Sequence, residues 1–142
     1  MAHRLLSMTM VAAALLLPLA HAAGQARWHG QLLAQVSTKA QLPAAIRLAL
    51  HADDPGMAGV ADIGGNFNAG DAHVRDWPDR ALIGAGHVGD HWIVVLVNGG
   101  GQSAPRVWLY EFDGPLLLRD RPLRLWKGGA DTFTAVVAEI AE

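Results

Sequence analysis

Histidines and carboxylates crowd into one stretch of the chain: Asp71-x-His73, Asp76, Asp79, then His87-x-x-Asp90-His91. Imidazole and carboxylate groups bind divalent transition metals when three or four converge about 2.0–2.2 Å from one ion. If Val88-Gly89-Asp90 forms a three-residue turn, His87 and His91 become cross-strand neighbours with Cβ atoms about 4.5–5.5 Å apart, close enough to share an ion. A third ligand, His73 or Asp71, then has to come from the loop 66–79. No recognised ligand spacing is matched. The competing reading therefore carries more weight: His87 and His91 flank a turn in solvent, and the aspartates cap turns.

Gly84-Ala85-Gly86-His87-Val88-Gly89 is a literal G-x-G-x-x-G after the strand-like Ala81-Leu82-Ile83, with Glu111 lying 22 residues beyond Gly89. On these residues it resembles the dinucleotide-binding fingerprint of Rossmann proteins, which implies a phosphate cradled at the start of a helix. The context argues otherwise. The β-branched run Ile93-Val94-Val95-Leu96-Val97 favours a strand where that fold needs a helix, and only 53 residues follow Gly89. A hairpin explains the glycines better.

Covalent catalysis has few candidates, since the chain has no cysteine and only Ser37 and Ser103 as serines after residue 22. Ser103 sits in a loop that lacks the glycine spacing of a nucleophile elbow. Glu111 and Asp113 alternate onto one strand face, as a general acid and base would, but strand-end carboxylates facing solvent are commoner. Among the five tryptophans, Trp77 is the best surface candidate, because Asp76-Trp77-Pro78-Asp79 is a proline-locked loop able to hold a ring outward. The alternative is that Trp77 packs down and pins its own loop. Gly99-Gly100-Gly101 opens a second loop able to approach a ligand closely. Arg119, Arg121, Arg124 and Lys127 form a basic stripe that fits either an acidic partner or the outward charges protecting an edge strand, and the edge reading is favoured.

The elements positioning these residues follow from periodicity. His91 to Val97 is apolar on both alternating faces, which predicts a central strand covered on both sides. Arg80 to His87 pairs with it through the turn, and Arg106 to Asp113 forms a third strand with Trp108, Tyr110 and Phe112 on one face. Further strands are expected at Val60 to Ile63 and near Leu123 to Trp126. Phe133, Val136, Val137 and Ile140 fall at i, i+3, i+4 and i+7, so the chain closes with an amphipathic helix capped by Asp131 or Thr132. A short helix is expected over 43–51, with proline at its start, and residues 28–41 stay open between helix and strand. The expected fold class is α+β: an antiparallel meander through residues 80–113, with the C-terminal helix and the short N-terminal helix packed on it.

Location comes from the first 22 residues. Met1-Ala2-His3-Arg4 is a basic start, Leu5 to Leu19 an apolar run, and Ala20-His21-Ala22 a small-x-small cleavage site, which together read as a bacterial-looking export signal. Cleavage leaves a single globular domain, 23–142, periplasmic or secreted. All 13 acidic residues and 10 of the 11 basic ones lie after residue 22, so its net charge is 10 − 13 = −3 with histidines neutral. That balance argues against nucleic acid or an anionic membrane as a partner. No transmembrane segment is expected after cleavage. Without cysteine, stability has to come from packing and hydrogen bonds. The leading expectation is a non-catalytic domain, without a cofactor, that binds an envelope protein or glycan through Trp77 and the loop Gly99-Gly100-Gly101. The second reading is a divalent-metal protein or metal-dependent hydrolase built on His87 and His91.

Overall fold

A computed structural model describes residues 25–100, 105–125 and 132–141. Residues 1–22, with the expected export signal, and Gly101, Ser103, Trp126, Lys127 and Asp131 lie outside the described residues. Among the described residues there are seven strands: β1 (Arg27–Trp28), β2 (Gln31–Leu32), β3 (Ala34–Val36), β4 (Arg80–Val88), β5 (His91–Asn98), β6 (Pro105–Asp113) and β7 (Leu116–Leu125). Two helices accompany them, α1 (Ala44–Ala49) and α2 (Phe133–Ile140). Strands β3 to β7 make one antiparallel sheet in sequential order, and β1 and β2 form a separate two-stranded ribbon. The fold is α+β, as the hydrophobic pattern predicts.

Strand β5 lies at the centre of the sheet, with Ile93, Val94, Val95 and Leu96 all buried. Its alternate residues feed two cores. On one face Val94 and Leu96 join Leu82, Ala85 and Tyr110 beneath Leu42, Ile46 and Leu50 of the α1 region. On the other, Ile93 and Val95 join Val107 and Leu109 beneath Phe133, Val136 and Val137 of α2. An eight-residue helix is marginal alone, so this buried stripe stabilises α2, and the Thr132 hydroxyl caps it by accepting from the Ala135 amide at 3.3 Å.

The glycine motif belongs to this packing. A Cβ on Gly84 would lie 2.5 Å from the Phe133 Cβ, and one on Gly86 would lie 3.2 Å from the Leu33 Cβ. These two glycines let the α2 side close on the sheet. Ile83 is an extra residue between the pairs Leu82↔Leu96 and Gly84↔Val95, a bulge that turns its side chain into the α2-side core.

Several elements differ from expectation. The segment Val60 to Ile63 contributes only a one-residue parallel bridge, Ala61↔Ala81, because the chain turns away at Asp62, whose Oδ1 accepts from the Lys39 and Ile63 amides at 2.7 and 2.8 Å. The last strand is longer than Leu123 to Trp126, beginning at Leu116 directly after a two-residue turn. Helix α1 stops at Ala49, with His51 in the left-handed region at φ +54°, ahead of the Asp53-Asp54-Pro55-Gly56 stop. Residues 27–41 supply the three short strands and a 3-10 turn, so the segment left open from 28 is mostly extended. Strand β7 is a sheet edge, as the basic stripe suggests, and it carries Pro122 where an edge tolerates proline. No helix among the described residues is long and apolar enough to cross a membrane.

Candidate binding site

The turn between β4 and β5 has two residues, Gly89 and Asp90, in place of the expected three. Gly89 has φ +54° at the first loop position, where a tight hairpin favours glycine. Val88 therefore opposes His91 and His87 opposes Trp92. One residue of slip sends paired side chains to opposite faces, so His87 and His91 are not cross-strand neighbours. His87 lies on the α1 side, its ring stacked on Trp92 at 4.4 Å and 19°, with a buried Nδ1 that makes no hydrogen bond. His91 lies on the α2 side, tilted against Trp28 at 5.8 Å. The other two proposed ligands sit at the far end of the sheet. His73 Nδ1 is 3.6 Å from Asp79 Oδ1, beside the start of β4, and Asp71 is exposed. Arg80 and His87 are seven residues apart along β4, a span of about 23 Å. Among the described residues no three His, Asp or Glu side chains gather as a metal site.

That far end is organised around Asn68, the one buried polar residue among those described. Its Nδ2 group donates to Val74 O at 3.2 Å, Trp77 O at 2.9 Å and Asp79 Oδ1 at 2.9 Å, while its Oδ1 accepts from the Val74 amide at 2.7 Å. One side chain thus fixes a loop from within, because a buried amide left unpaired would cost about 1–3 kcal/mol. Gly99 completes the clamp. Its N–H donates to Asp79 O at 2.6 Å, and a Cβ there would lie 1.6 Å from the Asn68 carbonyl oxygen. Gly99 is therefore occupied in packing against the loop. Gly100, at φ +86°, faces open space.

The clamp leaves apolar side chains outside. Trp77 is 38% exposed, Val74 43% and Met57 47%. Backbone bonds hold them in one neighbourhood: Trp77 N–H to Val74 O at 3.0 Å and Asp79 N–H to Met57 O at 3.2 Å. The backbone of the loop is pinned by Asn68, and the Trp77 ring remains more than a third open.

Cavities between α1 and the sheet lie at both of its ends. At the hairpin end, a cleft of about 310 Å³ is lined by Pro43, Trp92, Phe112 and Pro115 with Asp90. At the loop end, a cavity of about 130 Å³ is lined by Arg80, Asn98, Arg106, Trp108 and Tyr110 together with the end of α1. Sequence reasoning passed over Arg80 and Arg106. The signal was available in the register: Arg80 pairs with Asn98, and Arg106 pairs with Leu96, so both arginines lie in the first two residues of their strands, at the same end of the meander.

Compared with known proteins, the chain matches no family model, no curated protein and no solved structure.

Proposed function

We propose that this chain is an exported, non-catalytic domain that binds a protein partner of the cell envelope through the loop held by Asn68, with Trp77, Val74 and Met57 as the contact. The observation that carries this reading is the use of the one buried polar side chain among the described residues to fix a loop whose apolar residues stay exposed. Residues 62–79 hold no regular helix or strand, and loops of more than about 12–15 residues without structure of their own are usually functional or disordered. This one is internally bonded. A tryptophan on a rigid loop is a common interface anchor, since little conformational entropy remains to be lost on binding. Aliphatic Val74 and Met57 beside it favour a protein surface over a sugar ring. Export rests on the composition of residues 1–22.

The test is site-specific photocrosslinking in the cell that makes the protein, with a photoreactive residue at Val74 or Met57 and a control at Glu139 on α2. A discrete adduct at 74 and 57, absent at 139 and lost with Trp77→Ala, is the expected result. No adduct, or the same adduct at all three positions, overturns the partner reading. Retention on isolated cell-wall polysaccharide that depends on Trp77 would replace it with a glycan. The intact mass of the product should correspond to a chain beginning at Ala23, and a full-length mass overturns cleavage.

A further inference from the structure

We propose that the cavity between Arg80 and Arg106 is a binding site for a small oxyanion, a single carboxylate or phosphate group. Arg80 is fixed in place: its Nη2 donates to Leu50 O at 2.8 Å and also to Ala58 O, which ties it to the end of α1 and to the following turn. Its Nε and Nη1 make no hydrogen bond among the described residues, which leaves N–H donors held in fixed directions. Arg106 lines the same cavity, is exposed, and has neither a hydrogen bond nor an ion pair among the described residues. Two guanidinium groups facing one space repel each other unless an anion lies between them, and the described lining holds no carboxylate.

The remaining lining suits the same ligand. Asn98, paired with Arg80 across the strands, supplies an amide. Trp108, half-buried and stacked with Tyr110 at 6.4 Å, supplies an apolar wall that strengthens charge-assisted hydrogen bonds by excluding water. Guanidinium groups match carboxylate and phosphate oxygens in pairs, which a lysine does not. Size sets the upper limit. At about 130 Å³ the cavity falls below the roughly 300 Å³ where drug-sized pockets begin, yet one water needs only about 10–15 Å³, so a group of several atoms fits.

The site stands apart from the Trp77 surface, and its test is separate. Phosphate, sulfate, acetate and succinate are titrated into the protein at ionic strength held constant with chloride, reading melting temperature and tryptophan fluorescence. The expected result is a saturable rise in melting temperature of several degrees with at least one of them. Arg106→Gln should weaken the apparent affinity at least tenfold, Arg106→Lys should retain part of it, and Trp77→Ala should leave it unchanged. Phosphate against the carboxylates then identifies the source of the oxyanion. Because Arg106 is exposed, its variants should melt with wild type in chloride, so loss of the shift reports binding. No saturable shift with any of the four anions, or an equal shift in Arg106→Gln, overturns the proposal.

Discussion

The two ends of the sheet are built by different rules. At the hairpin end, β4 turns into β5 through Gly89-Asp90 and β6 into β7 through Gly114-Pro115, each a two-residue loop opened by a glycine at φ +54°. Such turns are specified locally, since the residues that need unusual backbone angles are the residues in the turn. At the loop end, the chain between Ala61 and Arg80 runs without strand or helix, and its shape is held by contacts to Asn68 and Gly99. A local turn tolerates change because the strands on either side restore it. A loop closed by one amide and one close approach has no such reserve, and this is the end at which Met57, Val74 and Trp77 are held exposed.

The largest effect that would sharpen this contrast is expected from Gly99→Ala set beside Gly89→Ala. At Gly99 the added methyl meets a backbone oxygen at 1.6 Å, so loop and strand have to separate, at a cost of about 3 kcal/mol, the upper part of the overpacking range. At Gly89 nothing lies within 4 Å of the new Cβ, and only the left-handed backbone is strained, for about 1 kcal/mol. Urea unfolding of both variants measures the difference, and equal costs would remove the distinction between the ends. Next in size is Asn68→Leu, which keeps approximate volume but leaves the Val74 amide and the Trp77 carbonyl without the partner that Asn68 gives them. About 2–3 kcal/mol of destabilisation is expected. Amide hydrogen exchange should accelerate at Val74 and its neighbours while β4 and β5 near Gly89 stay protected. Uniform acceleration through both ends would show instead that Asn68 supports the whole sheet.

How much of this was legible in the sequence follows the same division. The double-sided apolar run of β5 and the i, i+3, i+4, i+7 stripe of α2 declare their elements because burial and periodicity are written in adjacent residues. The histidine register was misjudged by a single turn residue, and with a side-chain period of two that error transfers a whole strand face. Gly84 and Gly86 could not be separated from a phosphate loop by their own spacing, since the feature that decides it is Phe133, far along the chain. Asn68 drew no notice because its bonds go mostly to backbone groups six to nine residues away, which have no residue-type signature. Trp77 was legible as a loop aromatic. What holds its loop was not.

The smallest expected effect tests whether that loop presents its tryptophan or depends on it. Trp77 contributes its backbone to the clamp, through its carbonyl to Asn68 and its amide to Val74, and those bonds survive replacement of the side chain. With its ring 38% exposed, Trp77→Ala should cost about 1 kcal/mol or less and leave the hydrogen-exchange pattern of the loop as it was. A buried tryptophan that pins its surroundings costs about 3–5 kcal/mol when truncated to alanine. A value in that range would mean that the ring, along with Asn68, closes the loop. The loop end would then be a satellite core with an open margin, and Val74 and Met57 would be its rim. A small value combined with loss of the crosslinked adduct places the ring in the contact itself, because the same substitution then separates binding from stability.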